Sequence, residues 1–158
     1  MHWVRFAVFV FSVMVLQSGL ADVVALASVR LDLLLVALVF FAVYYNTTEA
    51  IIASFAIGFG ADLIGPAMGP HIISCGLFGT LLAYLHRVIA VRRMPYQGLV
   101  IAAVGISAGL LTIFLTYLKG LQNPPNTYAV LLGSSLYSAV VGPFLFLPFA
   151  WLMRIKVR

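Results

Sequence analysis

The sequence predicts an all-α membrane protein: a polytopic bundle of about six transmembrane helices with both termini in the cytoplasm. Of its 158 residues, 64% are hydrophobic and 8% are charged, whereas a typical soluble domain is about 25% charged. A membrane-spanning helix needs about 20 predominantly apolar residues, and polar interruptions divide the chain into about six such runs. We therefore expect a single integral membrane domain over residues 1–158.

The first apolar run, from Trp3 to Leu20, predicts the first helix. The basic residue Arg5 near its start and the small residues at 25–27 also fit a cleavable secretory signal. We favour an uncleaved helix, because no soluble region follows that would need export. The mixed segment 21–30 then predicts a connection at the membrane interface.

The second and third apolar runs predict two helices joined by a tight polar connection. The second helix is expected from about Leu31 to Tyr45. Its uncharged part rises only about 20 Å at 1.5 Å per residue, so either Asp32 enters the headgroup region or the helix begins earlier. Thr47 or Thr48 is available as the N-cap of the third helix, which is expected from about Ala50 to Ile64.

One face of the third helix combines small residues with a carboxylate. Ser54, Gly58 and Asp62 follow each other at i, i+4 spacing and therefore share a face. Small residues let a neighbouring membrane helix approach closely. An aspartate at the centre of a membrane helix costs about 2.5–3.5 kcal/mol and marks a functional site by default. The alternative is that Asp62 lies at the headgroups or caps the turn that follows.

A short turn with Gly65 and Gly69 separates the third helix from a fourth, which is expected from about Pro70 to His86. Asp62 and His71 flank this turn. If their side chains meet, they form a buried, charge-assisted hydrogen bond that closes the helix hairpin. A lone histidine at a helix start is otherwise more often an interfacial residue than a ligand.

The segment after the fourth helix is the most basic in the chain, with Arg87, Arg92 and Arg93. It fits either a positive-inside topology signal or a docking site for anionic lipid or a cytoplasmic partner. With the N-terminus inside, seven basic residues fall on the cytoplasmic side and two outside. The seven are Arg5, Arg87, Arg92, Arg93, Arg154, Lys156 and Arg158, and the two are Arg30 and Lys119. This dispersal between apolar runs argues against nucleic-acid binding.

The last two apolar runs predict the fifth and sixth helices. The fifth, from about Gly98 to Leu118, contains Gly105 and Gly109, a GxxxG pattern that favours close helix packing. The sixth, from about Tyr128 to Met153, contains internal prolines that predict a kink.

The residues that carry chemistry are too few and too scattered to indicate an enzyme. The segment 58–62 is similar to the Gly-x-Gly-Asp of intramembrane aspartyl proteases, but an alanine separates the second glycine from Asp62. The only other plausible partner, Asp32, lacks the tyrosine expected before a paired aspartate. Cys75 has no basic neighbour, and the histidines are too far apart to indicate a metal site. We therefore expect no catalytic activity, metal or cofactor.

Several segments, in order along the chain, resemble the rod shape-determining MreD family. They are 16–18 (Leu-Gln-Ser), 29–35 at the start of the second helix, Gly58 with Asp62, and the turn 65–71. The resemblance covers nearly the whole chain and also includes the number of short spans. Leu31 stands where this family often has a proline before the aspartate.

The resemblance implies a protein of the bacterial inner membrane that belongs to the elongation machinery. It implies that the protein binds the bitopic protein MreC. It also implies that the protein acts together with MreB, RodA and a class B transpeptidase in lateral peptidoglycan synthesis. The candidate surfaces for a partner's transmembrane helix are the Ser54/Gly58/Asp62 face and the Gly105/Gly109 face. Membrane lipids are further expected partners.

The MreD family is similar in fold to the substrate-binding components of energy-coupling-factor transporters, which makes such a component the main alternative. It would enclose a small solute in a polar pocket at the outer side, where Asp32, Asp62 and His71 are among the few available groups. The Ala-x-x-x-Ala spacing associated with coupling occurs only at Ala21 and Ala25, in a connecting segment. A lipid-handling enzyme is a third, weaker hypothesis.

Overall fold

The computed structural model describes residues 3–20, 31–65, 68–85, 94–122 and 125–153, and within them it contains six α-helices and no β-strand. The helices are α1 (Trp3–Leu20), α2 (Leu33–Tyr44), α3 (Thr47–Ile64), α4 (Pro70–Leu85), α5 (Met94–Leu118) and α6 (Thr127–Met153). Three stretches are long and apolar enough to cross a membrane: Thr47–Ile64, Tyr96–Leu118 and Thr127–Met153. The all-helical class is as predicted, and these three helices indicate a membrane protein.

Helix α1 has the bounds expected from the sequence, whereas three later helices start elsewhere for identifiable reasons. Helix α2 was expected to begin at about Leu31 or earlier, but it begins at Leu33, because Asp32 is its N-cap. Helix α3 begins at Thr47, so its N-cap is Asn46, which makes no side-chain capping bond. The prediction of Thr47 or Thr48 as the cap was therefore wrong. Helix α5 begins at Met94, because Pro95 lies in the first helical turn, where a missing N–H group costs nothing.

Helix α2 is the centre of the bundle. Ten consecutive residues, Leu34 to Val43, are buried, and the helix contacts all five of the others. This agrees with its composition, because a helix that is apolar all round can be buried on every side in the core of a bundle. The ring of Phe40 packs edge-on against Phe146 and Phe149, and the ring of Phe41 packs in the same way against Phe9.

Hydrogen bonds between helix ends show how the helices alternate in direction. The phenol of Tyr44, at the end of α2, accepts from the Gln97 amide near the start of α5 at 3.1 Å. The ammonium of Lys119, just after α5, donates to the carbonyl of Met68, just before α4. The end of the bundle with Met68 and Lys119 is called the Lys119 end below, and the opposite end is called the Tyr44 end.

Candidate functional site

The carboxylate of Asp62 lies at the Lys119 end and caps the start of α4. Its side chain is fully buried, with 0% of its surface exposed. One oxygen accepts from the backbone N–H groups of Gly69 (2.7 Å) and Ile72 (3.0 Å). The other accepts from the backbone N–H of His71 (3.0 Å) and from its ring Nδ1 (3.0 Å). The first N–H groups of a helix have no partner within the helix, and Asp62 supplies partners to those of α4 from the neighbouring helix.

The pair of Asp62 and His71 expected from the sequence is therefore formed. An ionised carboxylate only accepts hydrogen bonds. The Nδ1 atom of His71 therefore carries a hydrogen atom and donates a hydrogen bond to Asp62. The second ring nitrogen, Nε2, is not used by this bond. The His71 side chain is 35% exposed, and its ring lines a cavity described below.

The glycines around this hairpin let α3 and α4 approach each other. A Cβ atom on Gly58 would lie 2.7 Å from the carbonyl oxygen of His71, which is backbone and cannot rotate away. Gly69 has a φ of +112°, a conformation that side-chain-bearing residues rarely adopt. Gly65 ends α3, and its N–H donates to the carbonyl of Ala61 at 2.9 Å. The glycines thus define the geometry in which Asp62 reaches α4.

The two small-residue faces pack against helices of this same chain. Ser54 lies against Gly79 of α4, and its hydroxyl donates to the carbonyl of Ala50 at 2.7 Å. Gly105 lies against Leu35 of α2 and Ser135 of α6, and Gly109 lies against Leu131 of α6. Both faces are thus occupied within the bundle. Packing within the bundle is one of the two roles expected for these faces, and their binding of a partner's helix stays a prediction.

A cavity of about 360 Å³ opens beside α5 and α6 towards the Lys119 end. The polar residues that line it are Asp32, His71, Thr112, Thr116, Gln122, Thr127, Ser134 and Ser135. The small residues Gly105, Ala108 and Gly109 and the thiol of Cys75 also face it. A carboxylate, an imidazole and several hydroxyls thus share one space in an otherwise apolar bundle.

Asp32 lies at the deep side of this cavity, as the N-cap of α2. Its side chain accepts from the backbone N–H of Leu35 at 2.9 Å. Its backbone N–H donates to the hydroxyl of Ser138 at 3.0 Å, and the next N–H, of Leu33, donates to the side-chain oxygen of Gln17 at 2.9 Å. Both donors at the start of α2 therefore have partners on other helices, α6 and α1, which hold Asp32 in place.

Two groups of predicted residues lie outside the described residues: Arg87, Arg92 and Arg93, and Ala21 and Ala25. Within the described ranges, no group of three or more His, Cys, Asp or Glu side chains is placed to hold a metal ion.

The sequence indicated Asp32 and His71 as groups available to a polar pocket, but it did not indicate the face of α5 that lines this cavity. Gly105, Gly109, Thr112 and Thr116 follow one another at spacings of four, three and four residues, which places them on one helical face. This face combines glycines with hydroxyls, so it leaves room and offers polar groups at the same time.

Comparisons of the chain with protein-family models, with curated proteins and with solved structures found no match.

Proposed function

We propose that the protein is a non-enzymatic scaffold of the bacterial inner membrane. In this proposal it is a component of the elongation machinery that resembles MreD, binds MreC, and works with MreB, RodA and a class B transpeptidase in lateral peptidoglycan synthesis. All six helices span the membrane, and both termini are cytoplasmic. The proposal starts from the order and spacing of the segments at 16–18, 29–35, 58–62 and 65–71.

The observation that carries the proposal is the complete use of the Asp62 carboxylate within the fold. Its two oxygens accept four N–H groups from the start of α4. A carboxylate that is saturated in this way is a structural support for the hairpin, and it has little capacity left to exchange protons or bind a solute. This supports a role in which the bundle's shape, recognised by other proteins, is the functional property.

The alternation of helix directions supports the proposed topology. Tyr44 and Gln97 bring the end of α2 to the start of α5, whereas Met68 and Lys119 bring the start of α4 to the end of α5. In a bundle of this kind, the basic segments at 86–93 and 154–158 follow helices that end on the same side as Tyr44. The positive-inside rule then places the Tyr44 end in the cytoplasm.

The proposal places the partner's transmembrane helix in a shallow apolar groove between α5 and α6. Gly98, Ala102 and Ala139 form its floor, and the ridges beside it carry large exposed side chains, such as Leu99 (67%) and Val140 (69%). Small residues between larger ones let two membrane helices approach closely. Because the other small-residue faces are occupied within the bundle, this groove is the surface that we assign to MreC.

The assignment can be tested by photo-crosslinking in bacterial membranes. A photo-reactive amino acid in place of Leu99 should crosslink to MreC. The control position is Leu77 on α4, which is similarly exposed (56%) and lies outside the groove. Equal yields at both positions, or a product at position 77 alone, would refute this placement of the partner helix.

The cavity favours a second candidate, a substrate-binding membrane subunit of an energy-coupling-factor transporter. Such a subunit needs a polar pocket at its outer side, and Asp32, His71 and Gln122 line one that opens towards the Lys119 end. The two functions differ in their partners. A transporter subunit copurifies with an ATPase module, whereas a scaffold copurifies with MreC and cell-wall synthases.

A further inference from the structure

The cavity beside α5 and α6 exists because the central helix is short. Helix α2 has 12 residues and begins next to Ser138, which lies 11 residues after the start of α6. At a rise of 1.5 Å per residue, α2 therefore starts about 16 Å below that end of α6. The space above it is bordered by α5 and α6, and Asp32 lies at its deep side.

Three of the hydroxyl groups that line this cavity present hydrogen-bond acceptors to it. The hydroxyl of Thr112 donates to Ser74 Oγ (2.9 Å), that of Thr116 to the Thr112 carbonyl (2.8 Å), and that of Ser134 to the Leu131 carbonyl (3.1 Å). Each hydroxyl has thus used its hydrogen and keeps lone pairs. His71 also lines the cavity, and its Nδ1 atom lies 3.0 Å from an oxygen of Asp62.

Asp32 adds a negative charge to this lining. A carboxylate can accept about four hydrogen bonds, and the side chain of Asp32 accepts from Leu35. Among the described residues, the basic side chains of Arg5 and Lys119 do not line the cavity, and Lys119 is bound to Met68. The N-terminus of α2 compensates about half an elementary charge. Asp32 is half-buried, and a cationic partner would stabilise its ionised form by pairing with the remaining charge.

We propose that this cavity binds a small organic cation whose primary ammonium group donates hydrogen bonds to Asp32, in a space that is also lined by the hydroxyl groups of Thr112 and Thr116. A primary ammonium group has three N–H donors and no acceptor, which complements the lining. A volume of about 360 Å³ is at the lower end of the range for small-molecule pockets, about 300–1,000 Å³. The inference rests on the cavity alone and does not depend on the proposed scaffold function.

The test is a set of three ligands of similar length and different charge, titrated calorimetrically into the purified protein in nanodiscs of phosphatidylglycerol alone. Putrescine is the cation, 1,4-butanediol is the neutral analogue and succinate is the anion. We expect putrescine to bind, and the other two to bind at least about tenfold more weakly, because hydrogen bonds to charged groups contribute about 1.5–3 kcal/mol. Preferential binding of succinate would assign the site to the N-terminus of α2 and overturn the proposal. Failure of putrescine to bind would also overturn it.

Two variants locate the binding. Asp32→Asn keeps a good N-cap and removes the charge, so putrescine affinity should fall at least about tenfold. Glu49→Gln is the control, because it removes a charge from the first turn of α3, outside the cavity lining. It should leave the affinity unchanged. Thr116→Val removes one acceptor while nearly keeping the side-chain shape, and it should weaken binding without unfolding the protein. Unchanged affinity in both Asp32→Asn and Thr116→Val would refute the assignment.

A second pair of nanodiscs separates two sources of the ammonium group. The headgroup of phosphatidylethanolamine carries the same group as a free amine. If the lipid is the source, putrescine should bind well in nanodiscs of phosphatidylglycerol alone and compete poorly when phosphatidylethanolamine is included. Equal putrescine affinity in both would assign the site to a free amine. Both results support recognition of an ammonium group.

Discussion

Replacing Asp62 by asparagine tests whether this carboxylate supports the α3–α4 hairpin. The asparagine side chain has one oxygen, so it can serve only two of the four N–H groups that the carboxylate accepts, and its NH₂ group faces the other two. Hydrogen bonds to charged groups contribute about 1.5–3 kcal/mol each. The loss of two such bonds should therefore lower the free energy of unfolding by about 3 kcal/mol or more.

The sign of this change separates two physical accounts of Asp62. A carboxylate without partners in a membrane helix would be costly, so its neutralisation would stabilise the protein. A carboxylate that caps α4 is stabilising, so its neutralisation should destabilise the protein. The assay is equilibrium unfolding of the purified protein by titration with SDS, followed by circular dichroism. Glu49→Gln is the control and should change the free energy by less than about 1 kcal/mol. An Asp62→Asn variant as stable as the wild type would refute the capping account.

Three further predictions concern the packing and use the same assay. Gly58→Ala should destabilise the protein by about 1–3 kcal/mol, because the new Cβ would lie 2.7 Å from the His71 carbonyl oxygen. The control Gly19→Ala should leave the stability unchanged, because the space around its Cβ is open. Equal effects of the two substitutions would contradict this reasoning. Gly69→Ala should cost about 1–3 kcal/mol through its φ of +112°, and a neutral result would show that the turn adapts. Thr47→Val should be neutral or stabilising by up to about 1 kcal/mol, because the Thr47 hydroxyl is buried without a hydrogen-bond partner within the described chain. A clear decrease in the free energy of unfolding would show that the hydroxyl has a partner.

The sequence was informative where a local feature determines the structure. The apolar runs predicted six helices, and the end of α3 at Ile64 and the start of α4 at Pro70 followed from the residues of the turn. The meeting of Asp62 with His71 could be anticipated because only a short turn separates them. A carboxylate at the end of one helix has few donors within reach other than the start of the next.

Features that depend on packing between distant segments could not be predicted in this way. The partner of the Asp32 backbone, Ser138, is 106 residues away in the chain, and nothing in the local sequence shows how deep α2 begins. The GxxxG pattern of Gly105 and Gly109 predicted close packing, but such a pattern is the same for a helix of this chain and for a helix of another protein. The structure shows that α2 and α6 occupy this face.

The central claim, that the protein is a scaffold of the elongation machinery, is tested most directly by a pull-down of the tagged protein from gently solubilised native membranes, with mass spectrometry of the eluate. The account predicts MreC as the main partner, together with RodA and a class B transpeptidase. An ATPase module in place of these proteins would contradict the account and support a transporter subunit.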